Sequence, residues 1–163
     1  MFTLHCTQKL RDRLKRPLVS EVPAASTILG DWYATVLFWK PQLALLVNER
    51  TLLPVLLPLA PADTLPERVA PELRRVLAAH GIDPAFIERE LAAMAEVVVA
   101  KTSNRSVVGT MNEFAFAAGV YRDLGDAADL VGLAIRLAKT PCSAIGYNSP
   151  DRLLREIAAP TAH

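Results

Sequence analysis

The sequence predicts an α+β domain: a mainly antiparallel sheet of about four to five strands, with helices on one face of it. Three observations predict this class. Strand-like segments rich in aromatic, Val and Leu residues are grouped early, between residues 31 and 58. Apolar residues at helical spacing are grouped after residue 64, and one apolar run, EVVVAK, returns to strand character near residues 96–102. Strands and helices do not alternate as in a doubly wound sheet, and the glycine fingerprint of a dinucleotide fold is absent.

Each element has its own warrant. FTLHC reads as a short first strand, and TQKLRDRLKR as a basic helix that Pro17 ends. PLVSEVPAASTILG is an irregular connection, because Pro, Ser and Gly interrupt every period. DWYATVLFW, QLALLVNE and TLLPVLL form a three-stranded meander, since KPQ and NERT are short enough for hairpin joints. Pro54 cannot donate to a ladder, which puts the third strand at an edge or bends it there.

DTLPERVAPELRRVLAAHG is helical: Thr64 and Glu67 have capping-box spacing, Val69, Leu73, Val76 and Leu77 share a face, and Gly81 suits the C-terminal cap. Asp83 as N-cap and Pro84 at the first helical position open the next helix, with Ile87, Leu91 and Met94 on one stripe. The nearly continuous run EVVVAK predicts a central strand covered on both faces. Met111, Phe114, Ala118 and Tyr121 recur at helical spacing, and Gly125 then Asp126 stop one helix and begin another carrying Leu130, Leu133, Ala134 and Leu137. A last short helix opens at Ser149 and Pro150. A single domain is expected over residues 1–159, with 160–163 a frayed tail.

Composition narrows the function classes. The formal charge is +1, from 18 Lys and Arg against 17 Asp and Glu, so no global field recruits nucleic acid, although a local patch does not need one. The basic helix from Lys9 to Arg16 reads as a solvated face, with nucleic acid a minority reading. Cys6 and Cys142 are too few for a disulfide framework and lack CxxC pairing, which fits a reducing cytoplasm. No uncharged apolar run reaches the roughly 18 residues of a membrane span, and the N-terminal segment lacks a signal-peptide core. The expected protein is cytoplasmic, with no membrane partner. A hydrophobic fraction of 52% and a mean hydropathy of +0.24 leave two readings, a fully packed monomer or a homo-oligomer or protein partner that covers apolar surface. Neither a P-loop nor GxSxG is present, and no cofactor is expected.

Two polar clusters are candidate sites. In the first, Asn48–Thr51, Glu49 and Arg50 face a ligand and Arg50 binds an anion through its planar fork, or the cluster is only a wet turn. The second, Lys101–Ser106, leaves a strand and approaches a helix N-terminus. Free N–H groups there, with Lys101, Asn104 and Arg105, suit phosphate or carboxylate; ordinary capping is the competing reading. That helix begins either near Ser103 or Ser106, or at Thr110, where Glu113 completes a capping box. Gly109, which costs about 1 kcal/mol inside a helix, favours Thr110.

Asp31 and Glu49 are the catalytic candidates, as paired carboxylates brought together by the fold; no metal site is expected, a site built from these two being the minority reading. His5, His80 and His163 are scattered, none with a nucleophile or carboxylate at recognisable spacing, which leans away from an enzyme. The preferred reading is a soluble binding or regulatory module with an anion-binding or protein-contact surface near Arg50, Lys101, Asn104 and Arg105, taking a phosphate-bearing ligand or a protein. The alternatives are a small enzyme acting on a phosphorylated or nucleic-acid substrate, and a structural association protein using the apolar meander.

Four blocks, CTQKL, GDWYA, VNERTLLPV and KTSNRSVVGTMNEF, together resemble a family of bacterial proteins known as a domain of unknown function, over about residues 3 to 145. The resemblance implies a single domain and a bacterial origin. It carries no activity, ligand or catalytic residue across.

Overall fold

The computed structural model describes residues 1–125 and 129–160. Along the chain run β1 (Phe2–Cys6), α1 (Gln8–Leu14), β2 (Trp32–Leu37), β3 (Leu43–Asn48), β4 (Pro54–Pro58), α2 (Leu65–Ala79), α3 (Pro84–Ala92), β5 (Val97–Lys101), α4 (Arg105–Asp123), α5 (Leu130–Leu137) and α6 (Pro150–Ala158). The strands form one sheet in the order β4-β3-β2-β1-β5. The class is α+β, as predicted, and the meander β2-β3-β4 is antiparallel with Trp32 opposite Asn48 and Val47 opposite Pro54. Pro54 opens β4 at the sheet edge, where its missing N–H costs no ladder bond.

Three expectations are corrected. The sheet is mixed rather than mainly antiparallel, because β1 pairs in parallel with β2 on one side and β5 on the other. Each of those strands is reached through connections long enough to carry the chain back to the starting end, which a hairpin cannot do. β5 is an edge strand, not a central one, with Val97 and Val98 only partly covered. Its outer side is met by the irregular connection after α1, whose Val19 N–H donates to the Val99 carbonyl at 2.9 Å.

Helices cover both faces, not one. Leu10 and Leu14 of α1, Leu73 and Leu77 of α2, Ile87 of α3 and Leu154 of α6 join Leu4, Trp32, Leu46 and Val99 in one core. Met111 and Phe114 of α4 and Leu133 and Leu137 of α5 join Tyr33, Leu45 and Val47 in the other. The reason lies in strand composition: β3, LALLVN, is buried at every position, so both its faces need cover. Each such Leu stabilises the fold by about 1.5–3 kcal/mol when fully removed from water.

Local signals fared unevenly. Asp83 caps α3 as predicted, accepting from Ala85 N–H at 3.0 Å, with Pro84 next. Thr64 makes no capping bond to α2; its hydroxyl donates to the Pro61 carbonyl instead. α4 starts at Arg105 and runs through Gly109, with Asn104 as its cap, whereas Thr110 donates to the Ser106 carbonyl. Starting at Thr110 would forfeit the helical placement of Val107 against Met111 and Phe114, all at most 2% exposed, and that burial outweighs about 1 kcal/mol of glycine cost. Asp126 lies outside the described residues, as does the tail at 161–163; Asp129 caps α5. Among the described residues no helix is long and apolar enough to cross a membrane.

Candidate functional site

Adjacent parallel strands whose following helices leave to opposite faces open a crevice at their carboxyl ends. β1 and β5 are such a pair, since α1 packs on the face of Leu4 and Trp32 and α4 on the face of Tyr33. Two hollows lie over these strand ends. One, of about 400 Å³, is lined by Thr102, Ser103, Arg105, Val108, Gly109 and Asn112. The other, of about 330 Å³, is lined by Thr7, Gln8, Lys9, Asp12, Thr35 and, again, Asn112. A third hollow of about 400 Å³, between Lys101 and the Leu18–Val22 segment, shares Thr102 and Ser103 with the first.

Exposed Lys9, Lys101 and Arg105 bring positive charge to this crevice, and exposed Asp12 beside Lys9 brings one negative charge. Backbone donors contribute less than the sequence suggests: the Asn104 carboxamide oxygen already accepts from Ser106 N–H at 2.9 Å and Val107 N–H at 3.3 Å. Gly109 has no packing reason to be glycine, because a Cβ there would meet nothing within 4 Å. Its backbone forms part of the wall of the hollow, and a side chain would project into that space.

A second polar group is buried under the same sheet face. In FTLHC, Thr3 and His5 alternate with Phe2, Leu4 and Cys6, so both point toward Tyr33. His5 Nε2 lies 3.0 Å from Asp31 Oδ2, and Nδ1 lies 3.0 Å from the Lys101 carbonyl. Asp31 Oδ1 accepts from Thr3 N–H at 2.9 Å. Glu49 Oε1 accepts from Asp31 N–H at 2.8 Å and closes the group. Gly30, at φ +77°, permits this, since a Cβ there would sit 2.5 Å from that Glu49 oxygen. Burial pulls the His5 imidazole down, but the Asp31 hydrogen bond, the Lys101 carbonyl and the charges of Asp31 and Glu49 together hold it above its ordinary value.

The fold therefore brings Asp31 and Glu49 together, and adds His5, which sequence spacing could not connect to either. Arg50 goes elsewhere: its guanidinium donates to the Ile28 carbonyl at 2.9 Å. Asn48 is a structural hub, fully buried, its carboxamide oxygen accepting from Arg50 N–H, Thr51 N–H and the Thr51 hydroxyl. The turn at 48–51 sits beside the start of β2, and Lys101–Arg105 at the far ends of β1 and β5, so the two loops do not face one another. They are linked through the sheet instead. The His5 ring stacks on Tyr33 with centroids 4.5 Å apart, and the Tyr33 hydroxyl pairs with Ser103 Oγ and accepts from Asn104 N–H at 3.1 Å.

Acid–base chemistry has little room here, because both His5 nitrogens and both Asp31 oxygens are engaged, and Glu49 alone is exposed. Sequence reasoning also missed Glu90 of α3. Its fully buried carboxylate accepts from Ile28 N–H at 2.7 Å and Leu29 N–H at 3.0 Å, tying down the chain that leads into Asp31. The available signal was an acidic residue between Ile87 and Leu91 on the buried stripe of α3.

Among curated proteins and solved structures nothing matches the chain. A family model described as a domain of unknown function, DUF6933, matches residues 3–153 and so takes in every residue of the crevice and of the buried His5 group. On that match, which covers nearly the whole chain, the protein belongs to the DUF6933 family.

Proposed function

We propose that the protein is a binding module for a small anionic ligand, phosphate- or carboxylate-bearing, held in the crevice over the carboxyl ends of β1 and β5. The observation that carries this reading is the parting of α1 and α4 to opposite faces above those ends, the place where open sheets with parallel strands leave room for ligands. Lys9, Lys101 and Arg105 supply charge, and Thr102, Ser103 and Asn112 supply hydrogen bonds. The site of this reading keeps Lys101 and Arg105, and leaves Asn104 as the cap of α4 and Arg50 outside. Both cysteines are free and buried thiols, which suits a reducing cytoplasm.

The test is a thermal-shift panel of inorganic phosphate, nucleotides, phosphosugars and dicarboxylates. A saturable stabilisation that disappears in Arg105→Ala, with the unliganded melting temperature unchanged, supports the reading. No shift with any member of the panel overturns it.

A protein-contact surface is the second reading, favoured by one observation. Phe116 and Val120 of α4 and Leu124, just past its end, recur every fourth residue and are 76%, 39% and 69% exposed, an apolar stripe facing away from the core. A chain that stays monomeric at high concentration by light scattering removes the homo-oligomer from this reading.

A further inference from the structure

We propose that His5, Asp31 and Glu49 form a binding site for one divalent transition-metal ion of the Zn²⁺ or Mn²⁺ class. This goes beyond the anion crevice and uses none of its side chains. The candidate ligand atoms of the three residues lie within 4.8 Å of one another. Metal–ligand bonds of about 2.0–2.2 Å place the donors of one ion about 3–4 Å apart, so a small rotation of the exposed Glu49 side chain closes the set.

Each ligand is already oriented by a further hydrogen bond, the arrangement that metal sites use to hold their ligands. A carbonyl can only accept, so the proton on His5 Nδ1 points to Lys101 and the Nε2 position is left as the ligand. That position faces Asp31 Oδ2, another acceptor, at 3.0 Å. In the neutral tautomer with its proton on Nδ1, two lone pairs would face each other there, and either a second proton on the imidazole or a metal ion resolves the contact. Thr3 N–H orients the other Asp31 oxygen, and Asp31 N–H holds Glu49 by Oε1, leaving Oε2 open.

A second observation comes from Thr3. Its hydroxyl is fully buried and has no hydrogen-bond partner among the described residues. It projects from the same face of β1 as His5, and the β1–β2 register sets it beside Asp31. An ion with its own bound water supplies the missing partner. Two carboxylates balance a divalent charge and suit Mn²⁺, and the imidazole suits Zn²⁺ better than Mg²⁺ or Ca²⁺. Glu49 is the exposed member and gives the ion its way in.

The experiment is calorimetric titration of the chelator-treated full chain with ZnCl₂ and MnCl₂, with melting temperature followed in parallel. One ion per chain, a raised melting temperature, and affinity at least about tenfold weaker in Glu49→Gln are the expected results, with His80→Gln unchanged. Asp31→Asn should lose binding altogether. Should that variant fail to fold, Glu49→Gln decides alone, because its side chain is at the surface. Absence of stoichiometric binding of both ions overturns the proposal and leaves a proton between His5 and Asp31. Binding that survives Glu49→Gln at full affinity overturns it as well.

Discussion

His5 on β1 and His80 at the end of α2 are 4% and 7% exposed, and their surroundings push them in opposite directions. Both ring nitrogens of His5 face acceptors, and the net effect holds it above 6.5 despite burial. His80 is lowered below 6.5, chiefly by burial and then by the charge of Arg155, with Lys139 adding to it and Asp151 opposing it. Its Nε2 is buried with no partner among the described residues. The pair teaches that burial alone penalises the imidazolium, and that acceptors placed at both nitrogens reverse the outcome.

Breaking the His5 side of this contrast should have the largest effect. Asp31→Ala leaves His5 Nε2 and Thr3 N–H without their acceptor, and should cost about 3–5 kcal/mol in denaturant unfolding. Glu90→Ala strands Ile28 and Leu29 N–H in the segment that delivers Asp31, and should cost about 2–3 kcal/mol in the same measurement. His80→Met removes an unsatisfied buried nitrogen at similar volume; it should stabilise the protein by about 1 kcal/mol at neutral pH.

The pH dependence sharpens the same comparison. Because the folded value of His5 is raised, its contribution is fully present below 6.5 and is lost as pH rises through the folded value. Because that of His80 is lowered, its contribution is present above 6.5 and is lost as pH falls toward the folded value. Unfolding free energy measured against pH in the presence of chelator should therefore lose its decline below 6.5 in part when His80 becomes Met, and keep its decline above 6.5. Gly109→Ala is the smallest change: about 1 kcal/mol of added stability from helix propensity, with weaker ligand binding if the crevice is used as proposed.

Much of the fold was legible because it is written locally. The KPQ and NERT joints are short, so β2, β3 and β4 had to be neighbours, and Asp83 with Pro84 mark a helix start without help from anything distant. The start of α4 was misjudged because Gly109 is a local signal, whereas the burial of Val107, Met111 and Phe114 is a tertiary one and is larger. Lys101, Asn104 and Arg105 were legible as a polar strand-to-helix junction. Lys9 was read as part of a solvated basic helix, with nucleic acid a minority reading, since the crevice it lines exists only once β1 and β5 lie side by side.

By itself, then, the sequence determined the strand segments, the helix stripes, the meander and the polarity of the two loops, because these depend on side chains a few residues apart. Tertiary structure alone decided that β1 would run parallel between β2 and β5, that helices would take both faces, and that His5 would meet Asp31 and Glu49. Those three residues are far apart in the chain and are joined by strand register, which follows from how the whole apolar set packs rather than from any spacing along it.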